Sequence, residues 1–453
     1  DPILKIRFLN SIFIKKWAKS TIIFSIKKTV VQTKVKSYIC NINQMFGYKI
    51  FFSMKFGIIK ERKNPPDRRV VFTPEELVRL QSEHPEAVVK VESSDIRVFS
   101  DEQYQNLGIK VDSDVTDCDV LFGVKEVPVD ALIPNKKYFF FSHTIKKQPY
   151  NRKLLQAILE KNIELYDHET IVDATNRRLI GFGRYAGIVG AYNGFRAFGI
   201  KYDLFTLAKA ETLSGKDELI TRLKRQTLPN IKIVLSGHGK VGMGAKEILD
   251  GMKIKQVSVT DFLSKKYSEP VYVQIDVLDY NKRIDGQVLN NEDFYKNPQD
   301  YISDFGRFTK VADVYIAGHF HGNGAPDILT REMLQAPDNK IQVVADISCD
   351  VDGPVACTLK ASTIAEPFFG YLPSEHKEVS YTHPASIMVM SVDNLPCELP
   401  KDASEGFGEM FMQHVIPAFF NGDKDGILER AKMTEKGKLT PRFDYLQDYV
   451  AGK

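Results

Sequence analysis

The most constraining stretch of the 453-residue chain is Gly237-His238-Gly239-Lys240-Val241-Gly242, which follows the apolar run 231–235 and opens a helix-like run over 243–249. A strand feeding a glycine loop that starts a helix is the context a dinucleotide fingerprint needs. Its first glycine permits the tight turn, its second lets backbone approach a pyrophosphate, and its third lets helix and strand pack, with the anion on the positive helix end. An ordinary glycine turn would explain the loop, but not the strand and helix around it. Asp261 lies 19 residues beyond Gly242, after a stretch 256–260 that reads as the next strand. An acid there accepts hydrogen bonds from ribose hydroxyls and repels a 2′-phosphate, which favours NAD and leaves NADP as second choice. Gly237, Gly239, Lys240, Gly242 and Asp261 are the cofactor residues this reading selects.

Strand-like runs at 55–59, 87–91, 119–124 and 138–142 alternate with helical patterns at 73–82 and 152–161. A second series follows, with strands at 231–235, 256–260, 314–316 and 341–345. This alternation predicts an α/β protein of two Rossmann-like domains with parallel sheets. Gly181 to Ala191, rich in small residues, suits a closely packed helix or a connector between them.

Composition narrows the class. With 43% apolar and 26% charged residues, the chain can bury two or three cores without staples. Its five cysteines are scattered and include no Cys-x-x-Cys pair, so neither a disulfide framework nor a cysteine-only zinc site is expected. Residues 1–53 carry ten Lys/Arg against Asp1 alone, so the other 400 residues hold 52 bases against 57 acids. That balance removes the charge argument for a nucleic-acid partner. No apolar run approaches the roughly 18–20 residues of a membrane span, and none is expected in 54–453. The body reads as beginning at Met54, with 1–53 a disordered or non-native basic extension, a targeting leader or a membrane-surface helix. A cytoplasmic setting is expected, or an organellar one if that leader is genuine.

Lys60-Glu61-Arg62 followed by Asp67-Arg68-Arg69-Val70-Val71-Phe72-Thr73-Pro74 resembles the opening of the alanine dehydrogenase/transhydrogenase superfamily. Gly123-Val124-Lys125-Glu126-Val127-Pro128, Phe141-Ser142-His143-Thr144-Ile145-Lys146, Asp346-Ile347-Ser348-Cys349-Asp350 and Ser391-Val392-Asp393-Asn394-Leu395-Pro396 extend the likeness over 54–453. Within the superfamily they are most similar to saccharopine dehydrogenase of the lysine-forming type, the lysine–2-oxoglutarate reductase half of the bifunctional enzyme. The second, glutamate-forming half is not expected.

The resemblance implies an active-site cleft between a domain of 54–182 plus 363–453 and a nucleotide domain of 183–362. It implies proton transfer by Lys125 and His143, and small-molecule substrates: L-lysine, 2-oxoglutarate and saccharopine. Arg69, Lys146, Gln148, Arg178 and Phe182 fall at its substrate positions, and Glu169 at an acid expected to tune the catalytic lysine. Arg177, Phe320 and Asp346 fall at cofactor positions. Saccharopine carries three carboxylates, which suits a site with several cations, and bidentate pairing makes Arg69 and Arg178 the expected anchors. His319-Phe320-His321 invites a metal reading, since alternate strand residues share a face, but no third ligand stands at a convincing spacing and none is expected to bind. The histidines and glycines of 318–324 depart from the family pattern. Alanine dehydrogenase is the enzymatic alternative, and a non-catalytic nucleotide-binding scaffold is the alternative of another class. Oligomeric state and direction of flux are not legible.

Overall fold

The computed structural model describes residues 53–288 and 290–453, so the basic extension expected over 1–53 lies, except for Ser53, outside the described residues. Met54–Lys453 form one compact unit built on two large sheets, with two short two-stranded ribbons.

The first sheet contains β1 (Met54–Ile58), β2 (Ala87–Glu92), β3 (Lys110–Asp112), β4 (Val120–Phe122), β5 (Lys137–Phe140) and β6 (Glu164–Asp167). All pair in parallel, in the order β3-β2-β1-β4-β5-β6. Its central strands send apolar side chains to both faces because both faces are covered. Phe56, Phe122 and Phe139 enter one core, while Leu121, Tyr138 and Phe140 enter the other. Helix α1 (Pro74–Glu83) starts where it does because Thr73 Oγ1 accepts from Glu76 N at 3.1 Å and Glu76 Oε2 accepts from Thr73 N at 2.8 Å. This reciprocal cap satisfies two otherwise orphaned donors. Helix α2 (Arg152–Glu160) buries Leu154, Leu155 and Ile158 on the opposite face.

Helix α3 (Gly183–Lys201) carries the chain into the second lobe, whose strands are β7 (Lys232–Ser236), β8 (Lys255–Gln256) and β9 (Val271–Ile275), the ribbon β10 (Asn281–Arg283) with β11 (Tyr301–Ser303), then β12 (Val314–Ala317), β13 (Val343–Asp346), β14 (Phe368–Leu372), β15 (Lys377–Val379) and β16 (Ile387–Met390). Outside the ribbon they form one sheet, β15-β14-β16-β13-β12-β7-β9-β8, parallel from β16 to β8 and antiparallel at β14 and β15. Helix α4 (Lys240–Gly251) follows β7 and crosses α3 at backbone contact. A Cβ on Gly187 would lie 1.9 Å from Val241 O, and one on Gly244 would lie 1.9 Å from Arg184 O.

Two expectations are corrected. The nucleotide domain does not stop at 362: the buried strand β16, Ile-Met-Val-Met, pairs with β13 in register Val343↔Met388, so the second sheet extends to Met390. Helix α6 (Pro400–His414) makes the return, placing Phe407 and Phe411 in the first lobe's core. Nor does a strand run to residue 260. β8 ends at Gln256, and Ser258 Oγ accepts from Asp261 N at 3.1 Å to start α5 (Val259–Ser264). A capping serine here overrides the β-propensity of Val257, Val259 and Thr260. No helix among the described residues is long and apolar enough to cross a membrane.

Candidate active site

In the first sheet, Glu61, Lys125, His143 and Glu169 follow β1, β4, β5 and β6, which are successive neighbours. Parallel strands about 4.8 Å apart thus bring four ionisable groups to one carboxyl edge. The turn carrying Lys125 is held by Glu61, which accepts from Val124 N at 2.7 Å and Lys125 N at 2.9 Å. Burial, then the adjacent Arg69 charge, lowers the pKa of the Lys125 ammonium below the usual lysine value. Burial, then the Asp67 charge, pushes Glu61 up to about 7.

Arg69, 3% exposed, donates from Nε to Asp67 Oδ1 at 3.0 Å and from Nη2 to Asp67 Oδ2 at 2.6 Å. Burial opposes ionisation of Asp67, but this guanidinium holds its pKa at about 2. The expected bidentate anchor therefore already has its paired edge on a carboxylate of its own chain. Its plane lies 4.2 Å from the Phe182 ring centroid, and Phe182 stacks on Phe407 at 4.3 Å.

His143 stands at φ 55°, in the left-handed region that costs a residue with a Cβ about 1–2 kcal/mol. Its Nδ1 is 3.2 Å from Glu169 Oε2, while Glu169 Oε1 is 3.5 Å from Lys146 Nζ and 3.9 Å from Arg178 Nη1. Burial pushes Glu169 upward, but the hydrogen bond to His143 and the Lys146 charge hold its pKa at about 2. Glu169 was expected beside the catalytic lysine; the structure makes it the partner of His143, Lys146 and Arg178 instead. Arg178 also lies over the Phe141 ring, 5.4 Å from its centroid. Gln148 accepts from the Tyr150 hydroxyl on its side-chain oxygen and from Tyr449 Oη on its carbonyl. Arg177, with its side chain 81% exposed, pairs with Asp173 at 3.1 Å and is not gathered in.

The second lobe meets this edge through α4, where Lys240 Nζ donates to Arg178 O at 3.4 Å and Leu179 O at 3.2 Å. Beside it is a cleft of about 470 Å³ lined by the glycine loop, Asp276, Tyr280, His319 and Phe320. The loop fits a dinucleotide. Gly237 has φ 98°, a Cβ on Gly242 would lie 2.0 Å from Gly237 O, and a Cβ on Gly239 would meet no protein atom within 4 Å. The space over Gly239 at the α4 N-terminus is therefore clear of protein, as close approach of a phosphate requires. Phe320, 78% exposed, stands at the cleft.

The structure does not bring Asp261 there. It lies on α5, which follows the edge strand β8 in the chain, with its carboxylate 3.0 Å from Lys265 Nζ. The strand beside β7 is β9, and the acid at its end is Asp276, whose Oδ1 accepts from Leu278 N at 2.9 Å. Asp346 does end β13, but it is buried, accepting from Ser348 N at 3.1 Å and Thr358 Oγ1 at 2.6 Å. His319 and His321 diverge, the first toward Ser236 and Tyr315 and the second toward Pro326 O.

Sequence reasoning thus missed Asp276 and gave Glu61 and Asp67 no role. Asp276 had a signal, since it follows the five-residue run Val-Tyr-Val-Gln-Ile directly. Glu61 and Asp67 had none beyond membership of the quoted opening motif, because their partners lie on other strands or across a turn.

Residues 57–189 match the alanine dehydrogenase/PNT N-terminal domain family. Over 437 residues the chain is 27% identical to alpha-aminoadipic semialdehyde synthase of Arabidopsis thaliana, covering 86% of this chain and 41% of that protein. It is 23% identical to the NAD(+), L-lysine-forming saccharopine dehydrogenase of Yarrowia lipolytica, covering 79% of this chain and 90% of that one. A solved L-alanine dehydrogenase superposes with a TM-score of 0.57 at 17% identity, covering 88% of this chain and all of the other, and shares the fold. The chain spans 41–44% of the length of the semialdehyde synthases it matches. The chain thus carries an alanine dehydrogenase/PNT N-terminal domain over residues 57–189, and along its length it is similar in sequence to semialdehyde synthases and saccharopine dehydrogenases and shares the fold of an L-alanine dehydrogenase.

Proposed function

We propose that the chain is a pyridine-nucleotide-dependent oxidoreductase acting on a C–N bond, and that it interconverts saccharopine with L-lysine and 2-oxoglutarate. The observation that carries this reading is the pair Lys125 and His143 on adjacent strand ends, one a half-buried amine with lowered pKa and the other an imidazole held by Glu169.

A bound dinucleotide supplies the hydride acceptor. Lys125 Nζ, when neutral, takes the proton of saccharopine's secondary amine as the adjacent C–H bond is broken. His143 has Nδ1 on Glu169, which leaves Nε2 to take a proton from the water that adds to the imine and to return one to the departing ε-amine of lysine. Lys146 and Arg178 present cations for carboxylates in the same neighbourhood, and Arg69 offers only the edge that Asp67 does not occupy. Three carboxylates on the substrate suit three cations better than pyruvate would, which favours saccharopine over alanine. We assign NAD preference to Asp276, which supplies the acid at the end of the strand beside β7.

The test follows absorbance at 340 nm with NADH, 2-oxoglutarate and lysine, in parallel with pyruvate plus ammonium, repeating both with NADPH. NADH loss that requires both lysine and 2-oxoglutarate supports the reading, and its abolition in Lys125→Met and His143→Gln supports the roles. Loss only with pyruvate and ammonium makes the chain an alanine dehydrogenase. Tight NADH binding with no turnover makes it a nucleotide-binding scaffold.

A further inference from the structure

His319 lies at the switch point of the second sheet, where β7 leads to β9 and β8 on one side and β12 and β13 stand on the other. Ligands of open parallel sheets bind above this point. Gly318, just before it, donates from N to Ser236 O at 3.1 Å and lies so close under Gly237 that a Cβ there would be 2.4 Å from Gly318 O. The histidine is therefore directly beside the first glycine of the loop, lining the same cleft.

Its ring is 7% exposed and tied on one side only. Ser236 Oγ is 3.0 Å from Tyr315 Oη and 3.1 Å from His319 Nδ1, and Tyr315 Oη is 3.4 Å from the same Nδ1. Among the described residues these groups have no other side-chain hydrogen-bond partner, so the protons can be counted. If Tyr315 donates to Ser236 and Ser236 donates to Nδ1, every hydroxyl proton is used and the imidazole proton sits on Nε2. The reverse order leaves the buried Tyr315 hydroxyl proton without an acceptor, the more costly arrangement. Burial lowers the histidine's pKa to about 4, so the ring is neutral at pH 7. Nε2–H is then a buried donor without an acceptor among the described residues.

We propose that His319 positions the cofactor: its Nε2–H donates to an oxygen of the diphosphate–ribose stretch of the dinucleotide lying across the glycine loop. This rests on the reading of the cleft as a dinucleotide site. The histidine acts by geometry, and the neighbouring hydroxyls set its tautomer.

The test is calorimetric titration of the full chain and its His319→Gln, His319→Asn and His319→Leu variants with ADP-ribose and with NADH, alongside melting of each unliganded protein. A glutamine amide reaches where Nε2 stood, whereas asparagine reaches only as far as Nδ1. Expected are affinities for both probes about tenfold weaker in the Asn and Leu variants and within about threefold of wild type in the Gln variant, with unliganded melting separating any loss of fold in Leu, where a buried hydroxyl loses its acceptor, from the loss of binding. A Leu variant that binds ADP-ribose like wild type overturns the proposal, as does a Gln variant that loses as much as Leu. Wild-type protein that binds neither probe overturns the dinucleotide reading and this proposal with it.

Discussion

Gly239→Ala and Gly242→Ala differ by one methyl group in the same loop, and the structure assigns them opposite consequences. At Gly239 the backbone is extended, φ −78° and ψ −174°, and the added Cβ meets no protein atom within 4 Å. Restricting the unfolded chain stabilises by about 0.4–1 kcal/mol, and alanine is a poorer helix N-cap by about 0.5–1 kcal/mol, so the two nearly cancel. The melting temperature of Gly239→Ala is expected within about 2 °C of wild type. Its methyl group occupies the space a pyrophosphate oxygen would enter, and losing one charge-assisted hydrogen bond, worth about 1.5–3 kcal/mol, weakens NADH binding by about 10- to 150-fold. At Gly242 the Cβ would be 2.0 Å from Gly237 O, well inside the 3.4 Å at which ordinary contact begins. Backbone must move there, which costs about 1–3 kcal/mol and lowers melting by several degrees. NADH fluorescence titration and thermal melting of both variants measure the two effects separately. If Gly239→Ala melts as early as Gly242→Ala, or binds NADH as tightly as wild type, the placement of the phosphate over Gly239 is wrong.

Asp276→Ser is expected to raise kcat/KM with NADPH relative to NADH by about tenfold or more, while Asp261→Ser leaves the ratio unchanged; the reverse result would return the ribose contact to α5. Glu398 is buried against Asn193, with Oε1 accepting from Nδ2 at 2.9 Å, and burial raises its pKa to about 7. Between its ordinary value of 4.5 and about 7 the folded state keeps a proton that the unfolded state releases, so its contribution to stability is lost as pH rises through that window. Glu398→Gln should reduce the fall in stability between pH 5 and 7.5, seen in urea unfolding, by about 1–3 kcal/mol. Glu169→Gln should lower kcat by about 10- to 100-fold by freeing His143, with NADH affinity in fluorescence titration unchanged; equal loss of NADH binding would mean that Glu169 organises the lobe interface instead.

The glycine loop was legible because its signal is local, an apolar strand followed by a turn with a distinctive residue order, whereas Lys125 and His143 were singled out only by the resemblance of the motifs around them. The correct strand next to β7 was not legible. Val257, Val259 and Thr260 look like a strand in isolation, and only the Ser258 cap and the pairing of β9 with β7 show that the chain passes to the sheet's edge before returning. The domain boundary failed for a related reason, since nothing in the residues Ile387–Met390 states which of two sheets will pair with them.

The sequence by itself determined that this is a two-sheet α/β chain with a dinucleotide loop, because periodicity and turn chemistry act over a few residues. Only the tertiary structure decided that Glu61 holds the Lys125 turn, that Asp67 occupies Arg69, that Glu169 serves His143 and that Asp276 stands at the cleft. Partner choice among charges depends on distances of 3–4 Å between groups that sheet order and turn geometry bring together, and burial then sets which of them keeps its charge.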